Sequence, residues 1–288
     1  MKTHFIGIGK MGLPMAQHLA AAGHDLTVSD LDVNRCKQAK AQGLKVVLDG
    51  EKAMSTVAVV FSSLPNDAAL LSVAERVARH VHSGCIWVDT STVSMHASAE
   101  AAVRVQAVGV EYLRCTVSGN NHMADAAQLT MMASGQRLVF DEVQPLLKCF
   151  GPHIFYLGDA EQARLMKLVV NLMIAQTSAM LAEGLTLGQK GGLHWRDMWQ
   201  VLTASAVASP ILKAKAQQLV EHDYTPTFTC EQMLKDLQLI MAAGSAFQAP
   251  LNQTAQTYQL MLAAMAQGHA EQDYASIIRA VQHSAGVS

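Results

Sequence analysis

A run of glycines near the start of the chain constrains its fold more than any other feature. Residues 4–30 read HFIGIGKMGLPMAQHLAAAGHDLTVSD, with Gly7, Gly9 and Gly12 between an apolar stretch and a helical one. In a strand–turn–helix unit, Gly7 makes the tight turn, Gly9 lets backbone approach a pyrophosphate, and Gly12 lets helix and strand pack closely. The helix N-terminus supplies amide donors and the positive end of its dipole. The run therefore predicts a dinucleotide site.

The residue that closes the second predicted strand bears on the choice of dinucleotide. Asp30 ends the segment DLTVSD, at the distance from the glycines where such sites place an acidic residue. Its carboxylate can accept hydrogen bonds from both hydroxyls of an adenosine ribose and would repel a 2′-phosphate, which favours NAD over NADP. Arg35 is close enough in sequence to stack on adenine or to pair with a phosphate. The alternative is that Asp30 is only a cap or turn residue.

Strand and helix signals divide the chain into two halves. The β-rich runs are Thr3–Ile6, Leu26–Ser29, Val57–Ser62, Ile86–Asp89, Glu111–Arg114, Leu129–Ala133 and Ile154–Leu157. Because helical patterns separate them, they predict an α/β, Rossmann-like domain with a mainly parallel sheet over residues 1–160. Later residues show only helical patterns, so we expect an all-α domain over 161–288, joined by a long interdomain helix that starts near Ala160. A cleft between the domains is the expected ligand site.

Composition excludes several classes of protein. Half of the 288 residues are hydrophobic, 15% are charged, and the formal net charge is −2, which gives no support for nucleic-acid binding. The five cysteines include no C-x-x-C pair and are expected to be free thiols, and the histidines show no metal-ligand spacing, so we predict no metal site. The apolar stretch Leu165–Leu185 contains Lys167, Asn171, Gln176 and Glu183, which favours a buried helix over a membrane span. We expect a cytoplasmic protein with neither a nucleic-acid nor a membrane partner.

Six motifs in order, spanning nearly the whole chain, carry a resemblance to a known family. They are GIGKMGLPMAQHL (7–19), SSLPND (62–67), VDTST (88–92), VSGN (117–120), MKLVVN (166–171) and LKDLQL (234–239). In these motifs the sequence resembles the β-hydroxyacid dehydrogenases, which include 3-hydroxyisobutyrate dehydrogenase, tartronate semialdehyde reductase and glyoxylate reductase. The resemblance implies a Rossmann-like domain followed by a helical domain for substrate binding and dimerisation over 161–288, and a homodimer or homotetramer. It also implies NAD(P)-dependent interconversion of a small β-hydroxy acid and its semialdehyde or keto form.

The MKLVVN motif contains the residues to which the resemblance assigns the chemistry. Lys167 and Asn171 are four residues apart, so they share one face of a helix. The resemblance makes Lys167 the general acid/base and Asn171 a polar partner for the lysine or for the substrate. Hydride removal from a carbinol carbon requires loss of the hydroxyl proton, which a positioned side chain accelerates. The alternatives are a lysine that covers apolar surface with its stem and an asparagine that makes only a structural hydrogen bond.

The resemblance assigns further site residues, one motif at a time. Ser118, Gly119 and Asn120 match the segment that binds the substrate carboxylate, and an ordinary turn is the alternative there. Cofactor contacts are implied for Gly7, Ile8, Gly9, Lys10, Met11, Gly12, Asp30, Leu64, Pro65, Thr92 and Lys235. Without the resemblance, the adjacent Lys235 and Asp236 would indicate only a solvated helix face.

Several positions depart from the family pattern. Thr116 stands where proline is common, Asn120 where glycine is common, and His18 where asparagine is common; GDAEQARLMK (158–167) replaces a glycine-rich approach to the lysine. These changes bear on substrate shape rather than on reaction type.

Two other functions are alternatives to the dehydrogenase. An imine reductase usually carries another residue at the lysine position, and a silent dinucleotide-binding module would be expected to lose the lysine while keeping the glycines.

Overall fold

The computed structural model describes residues 1–47 and 50–287. Within them the chain folds into two compact units, Met1–Lys167 and Leu168–Ser288, and the division falls inside one long helix. The first unit combines a sheet with helices and the second is helical, which confirms the predicted fold class. The predicted boundary between residues 160 and 161 stays a prediction.

The first unit contains a sheet flanked by helices. Its strands are β1 Lys2–Ile6, β2 Asp25–Ser29, β3 Val59–Ser62, β4 Ile86–Asp89, β5 Glu111–Ser118, β6 Thr130–Ser134 and β7 His153–Tyr156. Its helices are α1 Gly12–Ala21, α2 Val33–Ala41, α3 Gly50–Met54, α4 Asp67–His80, α5 Met95–Gln106, α6 Asn121–Asp125 and α7 Arg137–Leu147. Helix α8, Gln162–Lys190, begins in this unit and ends in the second.

The strand order locates the glycine run at a particular place in the sheet. The order is β2-β1-β3-β4-β5-β6-β7, and among the described strands only β5 and β6 pair antiparallel. The chain adds β2 on one side of β1 and β3 on the other, so the direction of winding reverses between β1 and β3. The loops that leave the carboxyl ends of two such strands separate and open a crevice in which ligands bind. Gly7 follows β1 and Ser63 follows β3, so both lie at this crevice.

The central strands are buried on both faces. Phe5 and Phe61 pack on one face with apolar residues of α1 and α7. Their chain neighbours Ile6 and Val60 pack on the other face with residues of α4 and α5, because side chains alternate along a strand. This double burial explains why the strands are continuous apolar runs in the sequence.

Strand β5 is longer than predicted. The sequence pattern ended the strand at Arg114, but the structure extends it to Ser118. The additional residues pair with β6 in an antiparallel ladder in which Ser118 lies opposite Thr130. The segment CTVS mixes polar and apolar side chains, so the cross-strand partner rather than the local pattern extends the strand. Strand β3, conversely, begins at Val59 rather than at Val57.

The second unit is built from helices. They are the rest of α8, α9 Trp195–Ala204, α10 Pro210–Val220, α11 Cys230–Ala246, α12 Asn252–Ala266 and α13 Ile277–Ser284, with a 3-10 helix at Tyr274–Ser276. Helix α11 begins with a capping box, in which the Thr229 hydroxyl accepts from the Gln232 amide and the Gln232 side chain accepts from the Thr229 amide. This cap fixes the start of the helix that carries Lys235 and Asp236.

Helix α8 is the one described helix that is long and apolar enough to cross a membrane by length and composition. One such helix is only weak evidence for a membrane span, because the core helices of soluble proteins can have the same length and composition. Arg164, Asn171, Ser178 and Thr186 are buried along it, and a helix with buried polar groups needs protein partners for them.

We expect one buried histidine of β1 to make the first unit sensitive to acid. His4 is fully buried, with Nδ1 2.8 Å from Thr27 Oγ1 and Nε2 2.9 Å from Ser29 Oγ. Burial, with a smaller effect of Arg76, lowers the pKa of His4 from 6.5 to about 4. The unfolded chain therefore binds this proton at higher pH than the native state does. The contribution of neutral His4 to the free energy of unfolding is fully present above pH 6.5 and is lost as the pH falls toward 4. The free energy of unfolding should fall by about 3 kcal/mol over this range.

Urea unfolding at several pH values on either side of 6.5 would measure this loss. Burial also lowers the pKa of His24 and His269, so the comparison with His4→Gln, which keeps a neutral hydrogen-bonding side chain, isolates the part due to His4. The variant should show a shallower fall in the free energy of unfolding with acidification. An equally steep fall in both proteins would contradict the prediction.

Candidate functional site

The glycine loop between β1 and α1 leaves space where an anionic ligand could approach the backbone. Gly7 has φ +84°, and a Cβ there would collide with the carbonyl of Ser63. A Cβ on Gly12 would collide with the carbonyl of Gly7. A Cβ on Gly9, in contrast, would meet only the guanidinium of Arg35, at 3.5 Å. The loop therefore needs glycine at two positions for its own packing, while Gly9 leaves a cradle open on its surface.

The first turn of α1 is suited to an anion. Met11 is the N-cap residue and makes no side-chain cap hydrogen bond, and the Leu13 amide already donates to the Gly9 carbonyl. Lys10 is exposed beside this turn, whereas Ile8 is buried beneath it. Backbone amides without a side-chain cap, together with the helix dipole, favour a phosphate at this end. These residues fit the pyrophosphate of a dinucleotide.

Asp30 ties the end of β2 to the glycine loop. Its Oδ2 accepts a hydrogen bond from the Ile8 amide at 2.9 Å, and its Oδ1 accepts from the Asp32 amide at 2.8 Å. Arg35 Nη1 lies 3.5 Å from Oδ2. A carboxylate has about four acceptor positions, so these contacts leave capacity for ribose hydroxyls. Asp30 therefore makes the turn contact that was considered from the sequence, and its contact with a ribose stays a prediction.

The loops after β3 and β4 border the same crevice. The Leu64 side chain lies beside Gly7, within 3.5 Å of where a Cβ on that glycine would be, and Pro65 is exposed next to it. The Leu64 amide donates to Ser91 Oγ at 2.8 Å, so the two loops are hydrogen-bonded to each other. Thr92, which is half-buried, follows Ser91 directly. The structure thus brings together the predicted cofactor residues of the glycine, Leu64 and Thr92 segments.

The segment after β5 is ordered by its own hydrogen bonds. Ser118 is the last residue of the strand, Gly119 has φ +140°, and Asn120 caps α6 by accepting from the Met123 amide at 3.0 Å. The turn considered as an alternative therefore uses the Asn120 side-chain oxygen. His18 Nε2 of α1 lies 2.9 Å from the Ala124 carbonyl oxygen, which joins this segment to helix α1.

Helix α8 carries Lys167 and Asn171 one turn apart. Lys167 is half-buried and Asn171 is buried. The Asn171 amide donates to Asp236 Oδ2 at 2.5 Å, and Lys235 Nζ lies 2.9 Å from Asp236 Oδ1, an ion pair without hydrogen-bond alignment. Asp236 is only 1% exposed, so the LKDLQL motif is not simply a solvated face. A buried carboxylate needs polar or charged partners, and Asn171 and Lys235 supply them here.

Three residues that lie next to candidate site residues were not predicted from the sequence. Asp236 orients Asn171 and pairs with Lys235, Ser91 connects the Leu64 and Thr92 segments, and Arg164 lies buried in the first turns of α8. A signal for two of them was present, because Arg164 and Asp236 are charged residues at helix positions that the apolar pattern assigns to the interior. The partners of these charges lie far away in the sequence, so the pattern alone did not identify them.

The described residues offer no cluster for a metal ion, and two of the buried cysteines are unsuited to nucleophilic chemistry. No group of three His, Cys, Asp or Glu side chains in residues 1–47 and 50–287 is placed to hold a metal ion. Burial raises the pKa of both Cys85 and Cys115 to about 12, which keeps these thiols protonated and poor nucleophiles near neutral pH.

Comparison with known proteins adds to this geometry. Residues 2–158 match the sequence model of the NAD binding domain of 6-phosphogluconate dehydrogenase, and residues 162–281 match that of the NAD-binding domain of NADP-dependent 3-hydroxyisobutyrate dehydrogenase. The chain is 31% identical to 2-(hydroxymethyl)glutarate dehydrogenase of Eubacterium barkeri, over 100% of this chain and 97% of that protein. It is 27% identical to the cytokine-like nuclear factor N-PAC of Homo sapiens, over 98% of this chain and 52% of that protein. A solved structure of 3-hydroxyisobutyrate dehydrogenase from Mycobacterium tuberculosis with L-serine has a TM-score of 0.90 and 25% identity, covering 98% of this chain and 99% of that one.

Proposed function

Because this chain belongs to the β-hydroxyacid dehydrogenase family, we propose that it is an NAD-dependent oxidoreductase that interconverts a small β-hydroxy acid with its semialdehyde or keto form. Membership of the family supports NAD(P) binding and oxidoreductase activity on hydroxy acids. The preference for NAD, the substrate and the role of Lys167 are our proposal. The observation that supports it most is that one chain keeps both a complete glycine loop tied to Asp30 and the lysine of MKLVVN.

The names of two similar proteins point to a substrate class. Both 2-(hydroxymethyl)glutarate and 3-hydroxyisobutyrate carry a carbinol carbon in the β position to a carboxylate. We propose a substrate with the same arrangement. Ser118 would donate its hydroxyl to the carboxylate, and the backbone amides of Gly119 and Asn120 would contribute further donors, as in other anion sites built from turn backbone.

Lys167 would move the proton that accompanies hydride transfer. A bound nicotinamide supplies or accepts the hydride at the carbinol carbon. In the oxidation, the neutral Lys167 amine takes the hydroxyl proton as the carbon–oxygen double bond forms; in the reduction, the ammonium form returns a proton to the carbonyl oxygen. A positioned general acid/base contributes roughly 10²–10⁴-fold to the rate.

Asn171 and its neighbours would orient this lysine or the substrate. A side-chain amide has two N–H groups and one oxygen, and one N–H is used on Asp236. The oxygen and the second N–H provide one acceptor and one donor for Lys167 or for the substrate. Lys235 remains a proposed cofactor contact because of its motif, with Asp236 holding its ammonium.

A second function is favoured by one observation, the similarity to N-PAC, which is named as a nuclear factor rather than as an enzyme. A silent dinucleotide-binding module would keep the glycine loop without turnover. The presence of Lys167 favours the dehydrogenase, because a silent module has no need for a proton-transfer group. An imine reductase, which shares the two-domain plan, is disfavoured by the same lysine.

A substrate panel tests the proposal. Nicotinamide absorbance would be followed with 3-hydroxyisobutyrate, 2-(hydroxymethyl)glutarate, succinic semialdehyde, glyoxylate and a cyclic imine, each with NAD and NADP cofactors. Turnover on at least one hydroxy acid or semialdehyde would support the proposal. Cofactor binding with no turnover would point to the silent module, and reduction of the imine alone would point to an imine reductase.

Replacing Asp30 with asparagine should shift cofactor preference from NADH toward NADPH. Asparagine keeps an acceptor for the Ile8 amide, but it removes the charge that would repel a 2′-phosphate and leaves Arg35 available to pair with one. We expect the ratio of the two dissociation constants to change by about tenfold or more, a difference of ~1.4 kcal/mol.

The control is Asp32→Asn. Asp32 also lies near Arg35, at 3.7 Å, but its side chain caps α2 by accepting from the Asn34 amide, whereas Asp30 accepts from the glycine loop. Its replacement should leave the cofactor preference unchanged. An unchanged preference in Asp30→Asn as well would remove Asp30 from the cofactor site.

We also propose that the protein works as a homodimer or homotetramer in the cytoplasm. Light scattering on the purified protein would test the assembly, and a monomer at working concentration would contradict it.

A further inference from the structure

A row of polar side chains crosses the sheet where four strands meet. Ser62, Asp89, Arg114 and Ser134 are register partners on the neighbouring strands β3, β4, β5 and β6. All four lie in the same transverse row, so they project from the same face. Polar residues in a row of a sheet buried on both faces need partners from a covering element.

The segment that leads into α8 supplies those partners. Ser134 Oγ donates to the Ala160 carbonyl at 2.7 Å and accepts from the Ala163 amide at 3.0 Å. Arg114 forms an ion pair with Glu161, and Arg164 forms one with Asp89. Both ion pairs join the row to the same helical turn. This is the segment GDAEQARLMK, in which the chain departs from the glycine-rich pattern of its family.

All three nitrogens of the Arg164 guanidinium donate hydrogen bonds. The side chain is fully buried, and its donors contact Asp89 Oδ2 (2.5 Å), the Ser91 carbonyl oxygen (2.5 Å), Tyr112 Oη (2.9 Å) and Ser98 Oγ (3.1 Å). Burial raises the pKa of the Tyr112 hydroxyl to about 12, so it remains neutral. A rigid fork with several acceptors in fixed directions determines orientation in a way that a single ammonium or an apolar side chain does not.

The contacts of Arg164 reach the loops that border the proposed cofactor. Ser91, whose carbonyl accepts from Arg164, also accepts through Oγ from the Leu64 amide and donates to Asp89 Oδ1 at 2.7 Å. Thr92 is the next residue. The buried Arg164 side chain is thus hydrogen-bonded directly to the loop after β4. Through Ser91 it is also connected to the loop after β3.

We propose that Arg164 is a positioning residue that holds the Lys167 turn of α8 in register with the Leu64 and Thr92 loops; this inference rests on the proposed role of Lys167. Lys167 follows Arg164 by three residues, about one helical turn. A displacement of this turn would therefore change the position of the lysine and loosen the Ser91 hydrogen bonds together. The Glu161–Arg114 pair lies on the same turn, and its hydrogen bonds run from the Arg114 guanidinium to the Glu161 carboxylate, which makes the pair a natural control.

The test compares Arg164→Lys with native protein. A lysine can keep the charge opposite Asp89 but cannot also satisfy the Ser91 carbonyl in the same geometry. We expect amide exchange at Leu64 and at residues 90–92 of the cofactor-free protein to become faster, and the dissociation constant for NADH to rise severalfold. Turnover should fall about 10- to 100-fold with a smaller change in substrate KM, as a small misplacement of a catalytic group does.

Two further variants separate positioning from folding. The double variant Asp89→Asn/Arg164→Gln replaces both buried charges with neutral polar groups. It should fold, because neither charge is left buried without its partner. It should show the same faster exchange, weaker NADH binding and lower turnover as Arg164→Lys. Arg114→Gln with Glu161→Gln removes the other pair and should lower the thermal midpoint with native exchange at Leu64 and native NADH binding.

Equal losses of NADH binding and turnover in the two double variants would overturn the proposal, because both ion pairs would then only stabilise the packing of this turn on the sheet. Native exchange and native NADH binding in Arg164→Lys would overturn it as well. Full turnover in Lys167→Ala would refute the proposed role of that lysine, whereas the exchange and NADH results would still decide whether Arg164 holds the two loops.

Discussion

Lys167→Ala should lower turnover by at least ~10²-fold while NADH binds with nearly native affinity. The expectation follows because different residues are proposed to bind the cofactor and to transfer the proton. The glycine loop, Asp30 and the Leu64 and Thr92 segments make up the proposed cofactor site, whereas Lys167 would transfer a proton to or from the substrate. Removal of the amine should therefore affect kcat and leave the dissociation constant of the cofactor unchanged.

Lys190 provides a matched control, because it is an exposed lysine at the far end of the same helix. Lys190→Ala should have native turnover. A small primary amine added to Lys167→Ala should restore part of the rate if the missing function is proton transfer. A loss of NADH affinity as large as the loss of turnover would identify Lys167 as a structural residue instead.

Gly9→Ala should weaken NADH binding about 10- to 100-fold, or ~1.4–2.7 kcal/mol, with almost no change in protein stability. A Cβ at this position would meet only the end of the flexible Arg35 side chain, at 3.5 Å, so the free protein can accommodate it. The same Cβ would occupy the space through which a pyrophosphate approaches the loop backbone. Calorimetric titration with NADH and thermal unfolding of the free protein would measure the two effects separately.

Two other glycines show what the alternative outcomes look like. Gly12→Ala would collide with the Gly7 carbonyl and should reduce both stability and NADH affinity. Gly23 has φ +83° with open space around it, so Gly23→Ala should reduce stability alone. If Gly9→Ala bound NADH as the native protein does, the pyrophosphate would have to lie elsewhere.

Much of the first unit could be predicted because its signals are local. The glycine run depends on backbone conformation within a few residues, and the central strands form continuous apolar runs because both of their faces are buried. The existence of β5 was predicted in this way. Its last four residues were not, because their strand conformation comes from pairing with β6, which no local pattern encodes.

Asn171 illustrates the same limit within the site. The helical pattern shows that an amide on an apolar helix needs a partner, but it does not identify that partner. The partner is Asp236, 65 residues away, and this carboxylate is buried although the Lys-Asp pair looks solvated in sequence.

The sequence by itself determined the positions of the glycine loop, Asp30 and Lys167 and the division into an α/β half and a helical half, because each depends on residue type and short-range spacing. Only the tertiary structure decided which buried charges meet. Asp89 and Arg164 are 75 residues apart, and Arg114 and Glu161 are 47 apart. Neither pair follows from periodicity, since strand order and register bring the charges into one row and the first turn of α8 packs on it.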